Sequence, residues 1–115
     1  MAFSVEETAR NEAALGSFIE AIRPPVHIRK ELDFDYSVSG HAIELHEIRP
    51  DWQGKEKLVY RPFARVRCFK TTGWWRLYWM RSDLKWHVYD PSADHRSLRG
   101  ALEVVRADAY ACFFG

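Results

Sequence analysis

From residue 32 to residue 38 apolar and polar side chains alternate without a break, LDFDYSV. A period of two sends one set to each face of an extended backbone, so this segment predicts a half-buried β-strand. The pair Ser39-Gly40 follows at once and suits a two-residue turn. The chain is therefore expected to return as a second strand over residues 41–48. With that turn, Val38 faces His41, Tyr36 faces Ile43 and Phe34 faces Leu45. On the polar side Asp35 lies across from Glu44, and Asp33 across from His46.

The same pattern recurs further on. Residues 63–70 read as a third strand, Thr72-Gly73 as a turn, residues 74–80 as a fourth strand (WWRLYWM) and residues 85–89 as a fifth. With Thr72-Gly73 as a two-residue turn, Arg76 pairs with Phe69, Tyr78 with Arg67, Leu77 with Cys68 and Trp79 with Val66. The core face then holds Ala64, Val66, Cys68, Trp75, Leu77 and Trp79, with Trp86 and Val88 added from the fifth strand. Residues 50–62 are polar and bounded by prolines, and read as a loop.

Helices flank these strands. Ser4-Val5-Glu6-Glu7 matches a capping box, in which the Ser4 hydroxyl accepts from the Glu7 amide and Glu7 reaches back. Val5, Ala9, Leu15, Phe18, Ile19 and Ile22 form an imperfect apolar stripe, and Pro24-Pro25 stops the helix near Ile22. Leu98, Ala101, Leu102 and Val105 fall at i, i+3, i+4 and i+7 of a second helix. The apolar end, residues 110–115, is expected to dock. The fold expected is α+β: a helix, an antiparallel meander of about five strands, and a C-terminal helix packed on one sheet face. Residues 1–115 are the size of one domain.

Net charge is +1, so no global field draws in nucleic acid or an anionic membrane. The charge is unevenly placed. Residues 31–47 hold five acids and no Lys or Arg, whereas residues 61–85 hold seven bases and one acid. Either the two segments pair or the basic one is a binding patch. Cys68 and Cys112 are too few for a disulfide scaffold and lack metal-ligand spacing. The N-terminal residues do not read as a signal peptide, and no stretch nears the ~20 apolar residues of a membrane span. A cytoplasmic protein with no membrane contact is expected.

Three clusters carry candidate chemistry. The face opposite the core collects Arg65, Arg67, Phe69, Trp74, Arg76, Tyr78, Lys85, His87 and Tyr89. Interleaved cations and aromatics on an open sheet can bind single-stranded nucleic acid, the aromatics stacking on bases and the cations tracking phosphates. The same residues also suit ordinary cross-strand contacts on a solvated face. The second cluster is Asp33, Asp35, Glu44 and His46. Facing carboxylates repel, so arginines or a divalent cation should offset them, and a bound cation could activate water. The third is Glu47 and Arg49, in phase with the core residues Ile43 and Leu45. They form either a buried ion pair or, with Arg29 and Arg81, an anion pocket at the sheet's rim. No cofactor motif, metalloprotease helix, phosphate loop or nucleophile elbow is present, so no cofactor is expected.

The strings HIRKELDFDY, ELHEIRP, WRLYWMRSDLKWHVYDP and CFFG together resemble a family of small bacterial proteins, the domain of unknown function numbered 3024. The likeness covers nearly the whole chain. Its most specific parts are residues 79–87 and the Glu47-Ile48-Arg49-Pro50 turn. The resemblance implies a bacterial source and a compact stand-alone domain, and it implies no activity. It marks His27, Arg29, Glu47, Arg49, Arg81, Asp83 and His87 as the pattern's polar part. Three functions follow as expectations. The first is a non-enzymatic binding module using the aromatic, basic face, for single-stranded nucleic acid. The second is a metal-dependent hydrolase built on the acidic hairpin. The third is a protein-interaction domain or homodimer.

Overall fold

The computed structural model describes residues 2–114, apart from the side chain of Lys55. The first helix, α1, spans Val5–Ile22, and its capping box closes as expected: Glu7 N donates to Ser4 Oγ, and Ser4 N to Glu7 Oε1. Its buried face is Asn11, Ala14, Leu15 and Phe18. The apolar stripe is corrected at its start, because Val5 is exposed and Ala9 lies outside the core. The chain then runs through β1 (Asp33–Ser39), β2 (Ala42–Asp51), β3 (Gly54–Phe69), β4 (Trp74–Met80), β5 (Trp86–Val88), β6 (Asp94–His95) and α2 (Leu98–Ala107). The strands form one antiparallel sheet in the order β1-β2-β3-β4-β5. β6 pairs with the start of β4, beside the stretch that β5 pairs. The α+β architecture is as the alternation indicated.

Both tight hairpins pair two residues away from the expected register. The β1–β2 turn is Gly40-His41, so Ser39 faces Ala42, Val38 faces Ile43 and Tyr36 faces Leu45. Gly40 sits at φ 59°, the sign required of the first central residue of a type II′ turn, and glycine adopts it without steric cost. Asp35 therefore faces His46, and Asp33 faces Ile48; the expected Asp35–Glu44 and Asp33–His46 pairs do not form. Between β3 and β4 the connection takes in Lys70 through Gly73. Phe69 faces Trp74, Cys68 faces Trp75, Arg67 faces Arg76 and Arg65 faces Tyr78. Because each slip is even, the core and solvent sides of these strands keep their members.

Two further differences matter more. Residues 50–62 are mostly paired strand, not loop: β2 and β3 extend as a two-stranded ribbon that turns at Asp51–Gly54. The sequence does not reveal it, since a ribbon with no core beneath it lacks one-sided alternation. Below the ribbon, pairing shifts between Leu45 and His46. This bulge sits at Phe63, letting Phe63 and Ala64 both enter the core. Pro62, which has no amide hydrogen to donate, lies beside it.

The fifth strand has the opposite facing to the expected one. Trp86 pairs with Met80, and Val88 with Tyr78, on the open face, whereas His87 pairs with Trp79 on the helix side. The turn 81–85 decides this. Leu84 occupies a left-handed φ of 61°, and Leu84 N closes onto Arg81 O at 2.9 Å.

The core lies between the helices and one sheet face. Leu15, Ile43, Leu45, Ala64, Val66, Leu77, Ala101 and Val105 are fully enclosed there. The apolar C-terminal segment docks through Phe113, with Phe114 against Phe34 and Phe63, while Tyr110 stays exposed and Gly115 lies outside the described residues. Asp108 organises it: from a left-handed φ of 43° its carboxylate accepts from Phe113 N at 3.0 Å and Phe114 N at 2.9 Å. Among the described residues no helix is long and apolar enough to cross a membrane.

Candidate functional site

Because both helices cover one face, the other face of β3 and β4 is left open. Its residues are set by period and register. Phe69–Trp74, Arg67–Arg76 and Arg65–Tyr78 are three consecutive facing pairs, and Glu44 of β2 faces Arg65. Two arginines directly opposite each other repel. The aromatics relieve part of this: Arg67 lies 5.3 Å and Arg76 5.2 Å from the Phe69 ring centre, and Arg65 lies 5.8 Å from that of Tyr78. Such contacts stabilise a guanidinium over a ring face by roughly 0.5–1 kcal/mol at exposed sites.

Besides Glu44, a second carboxylate joins the stripe. Asp94 of β6, opposite Arg76, accepts from Arg76 Nε at 2.9 Å. Arg67 makes no ion pair with a carboxylate among the described residues. Arg96 adds a further cation 5.1 Å above the Trp74 ring, and Trp74 is 38% exposed. Phe69, Thr71, Thr72, Trp74, Arg76 and Asp94 line an open cleft of about 360 Å³, a volume that falls within the roughly 300–1,000 Å³ typical of ligand pockets.

Arg65, Arg67, Phe69, Arg76 and Tyr78 thus come together as the sequence indicated. His87 and Tyr89 do not. Tyr89 is 2% exposed and packs on Phe113 at 4.9 Å between ring centres, and burial pushes its phenol up from the ordinary range. His87 faces the helix side, and its Nε2 lies 2.8 Å from Asp83 Oδ2. Asp94 and Arg96 were missed because they precede α2 in a segment with no strand-like alternation. An aromatic at 74 with unpaired bases nearby was the one hint.

The acidic cluster does not assemble. Arg23 holds both oxygens of Asp33 at 2.8 Å, and this pairing pulls the Asp33 carboxyl below its usual range. Asp35 Oδ1 accepts from Tyr36 N. Glu44 Oε1 and His46 Nε2 lie 3.6 Å apart, and Asp35 faces His46 across the strands. Among the described residues no group of three or more His, Cys, Asp or Glu side chains is arranged to hold a metal ion.

The polar rim divides into local contacts. Glu47 pairs with Arg49, Arg29 Nε donates to Pro24 O at 3.0 Å, Arg81 covers Trp79 at 5.4 Å, and His27 is exposed. The His87 hydrogen bond, followed by the Lys85 amide, holds the Asp83 carboxyl below its ordinary range.

The geometry defines a class: a small α+β domain with one helix-covered sheet face and one open face striped with arginine and aromatic side chains. The chain belongs to the family described as Domain of unknown function (DUF3024), whose model matches residues 3–115. No curated protein and no solved structure matches it.

Proposed function

We propose that the chain is a binding module whose open sheet face takes single-stranded nucleic acid. The observation that carries this reading is the facing pair Arg67–Arg76 beside the facing pair Phe69–Trp74, on a sheet face that no helix covers. The Phe69 ring and Asp94 offset the repulsion of the two opposed arginines only in part, and Arg67 has no carboxylate partner among the described residues, whereas a strand of phosphates compensates both. Phe69, Trp74 and Tyr78 supply flat surfaces for bases, and stacking there tolerates any sequence. The two free thiols fit a reducing, cytoplasmic compartment.

Fluorescence anisotropy of a labelled single-stranded oligonucleotide tests it. Binding is expected, weakening steeply with salt and weaker for a duplex of the same sequence. Absent or salt-insensitive binding refutes the reading.

The ribbon favours a second reading, a protein-interaction domain or homodimer. Trp52 is 86% exposed, and Leu58, Val59 and Tyr60 are also open to solvent. Such apolar surface marks interaction sites. Light scattering across a concentration series tests self-association, and a strictly monomeric particle rejects the homodimer.

A further inference from the structure

Trp74 borders two openings at one end of the open face. The smaller, of about 280 Å³, is lined by Thr72, Gly73, Trp74 and Arg96, and the Arg96 guanidinium lies over the indole ring. The larger is the cleft of about 360 Å³ that Trp74 shares with Phe69 and Asp94, and Arg96 is not part of its lining. Among the described residues that line this cleft, Asp94 is the single acid. A carboxylate opposes phosphate, so the general attraction of a strand to this face does not account for one here.

Nor is Asp94 loosely placed. β6 pairs with β4 at Trp75–His95 and Arg76–Asp94, and Leu77 N donates to Ala93 O at 2.8 Å. Arg76 Nε then fixes the head group through Oδ1 at 2.9 Å. A carboxylate has about four acceptor positions on its two oxygens, and Arg76 takes up only part of them. Oδ2 has no hydrogen-bond partner among the described residues. Asp94 thus holds a fixed acceptor in the cleft that an exposed indole lines.

The bases differ in what they offer such a group. An ionised carboxylate accepts and never donates. Guanine carries two adjacent donors on its Watson–Crick edge, N1–H and the 2-amino group. Adenine and cytosine set a ring acceptor beside their amino group, and thymine and uracil set a carbonyl on each side of their N–H. Only guanine meets both carboxylate oxygens with donors; the others bring a lone pair against a negative charge. Thr71 also lines the cleft, and its hydroxyl can donate to guanine O6.

We infer that the cleft is a guanine-selective base site for a single strand bound on the open face. The ring stacks on Trp74, its Watson–Crick edge meets Asp94, and the neighbouring phosphates lie along Arg76 and Arg67. This base site rests on the nucleic-acid reading proposed above and adds to it the base preferred at one position. Stacking on Phe69 and Tyr78 stays indifferent to sequence.

Anisotropy titrations test it, with labelled oligothymidine carrying one central guanine, adenine, cytosine or hypoxanthine. The guanine strand is expected to bind about tenfold more tightly than the adenine, cytosine and all-thymine strands, the discrimination of one bidentate contact. Hypoxanthine lacks the 2-amino donor and should fall between. Asp94→Asn puts a donor in place of one acceptor, and there the guanine advantage should drop to about twofold or less. The readout is the ratio of affinities within each protein, which cancels the general effect of removing a negative charge beside the phosphates. Guanosine monophosphate should compete only at far higher concentration, because it lacks the neighbouring phosphates and stacked bases. Competition at the strand's own concentration assigns the cleft to a free nucleotide and overturns the inference. Salt-dependent binding of every strand with equal affinity, or a guanine preference unchanged in Asp94→Asn, overturns it and leaves the nucleic-acid reading standing. No binding of any strand removes both.

Discussion

Arg67→Ala separates a binding role from a structural one, because the two predict different things. Arg67 faces Arg76 directly and lies over Phe69. Removing it relieves a like-charge pair, worth about 0.2–1 kcal/mol. It also loses a cation–π contact of about 0.5–1 kcal/mol. The two nearly cancel, so stability should stay within about 0.5 kcal/mol of the parent. Binding has no such compensation. One phosphate contact on a single strand contributes about 0.7 to the slope of log K against log salt. Its loss should flatten the slope by about that amount and weaken binding on the order of fivefold at ~0.1 M salt. Phe69→Ala should behave differently. It should leave the salt slope unchanged and weaken binding by about 1–3 kcal/mol, the contribution of one stacked base. Urea unfolding gives the stability, and anisotropy titrations at four or so salt concentrations give the slopes. An Arg67→Ala protein that binds with the parent's slope, or whose binding falls only as far as its stability does, refutes the argument.

Other consequences are structural. Asp108→Ala removes the acceptor of two backbone amides and should destabilise by about 1–3 kcal/mol, with faster amide exchange confined first to Phe113 and Phe114. Asp33 has a depressed carboxyl pKa, so its pair with Arg23 contributes stability above the unfolded pKa and loses it as pH falls through the folded one. Asp33→Asn should therefore lie below the parent by about 1–2 kcal/mol at neutral pH and converge with it in acid, as urea midpoints across pH would report. An unchanged gap at low pH would contradict this. Leu84→Gly should stabilise the protein by about 0.5–1 kcal/mol and raise the urea midpoint, since the exposed leucine holds a left-handed φ of 61° that glycine adopts freely. Leu77→Ala, at a fully enclosed position, should cost about 2–5 kcal/mol in the same assay.

The sequence by itself determined what depends on neighbours along the chain. The Ser4–Glu7 capping box, the four apolar positions of α2 and the two faces of β1, β3 and β4 were all legible, because caps and periodicity act within a few residues. Face membership survived two register errors because each was a slip of two. The tertiary structure decided what depends on turn geometry and distant partners. One left-handed residue, Leu84, decides which side of β5 looks to the core, sending Tyr89 inside and Val88 out, and no alternation in five residues encodes that sign. The ribbon's pairing was hidden because both of its faces meet water. Asp33 lost its place beside Glu44 and His46 to Arg23, ten residues earlier, and Asn11 met the start of α2 across most of the chain. Periodicity tells a side chain which face it occupies; only the packed fold brings it a partner.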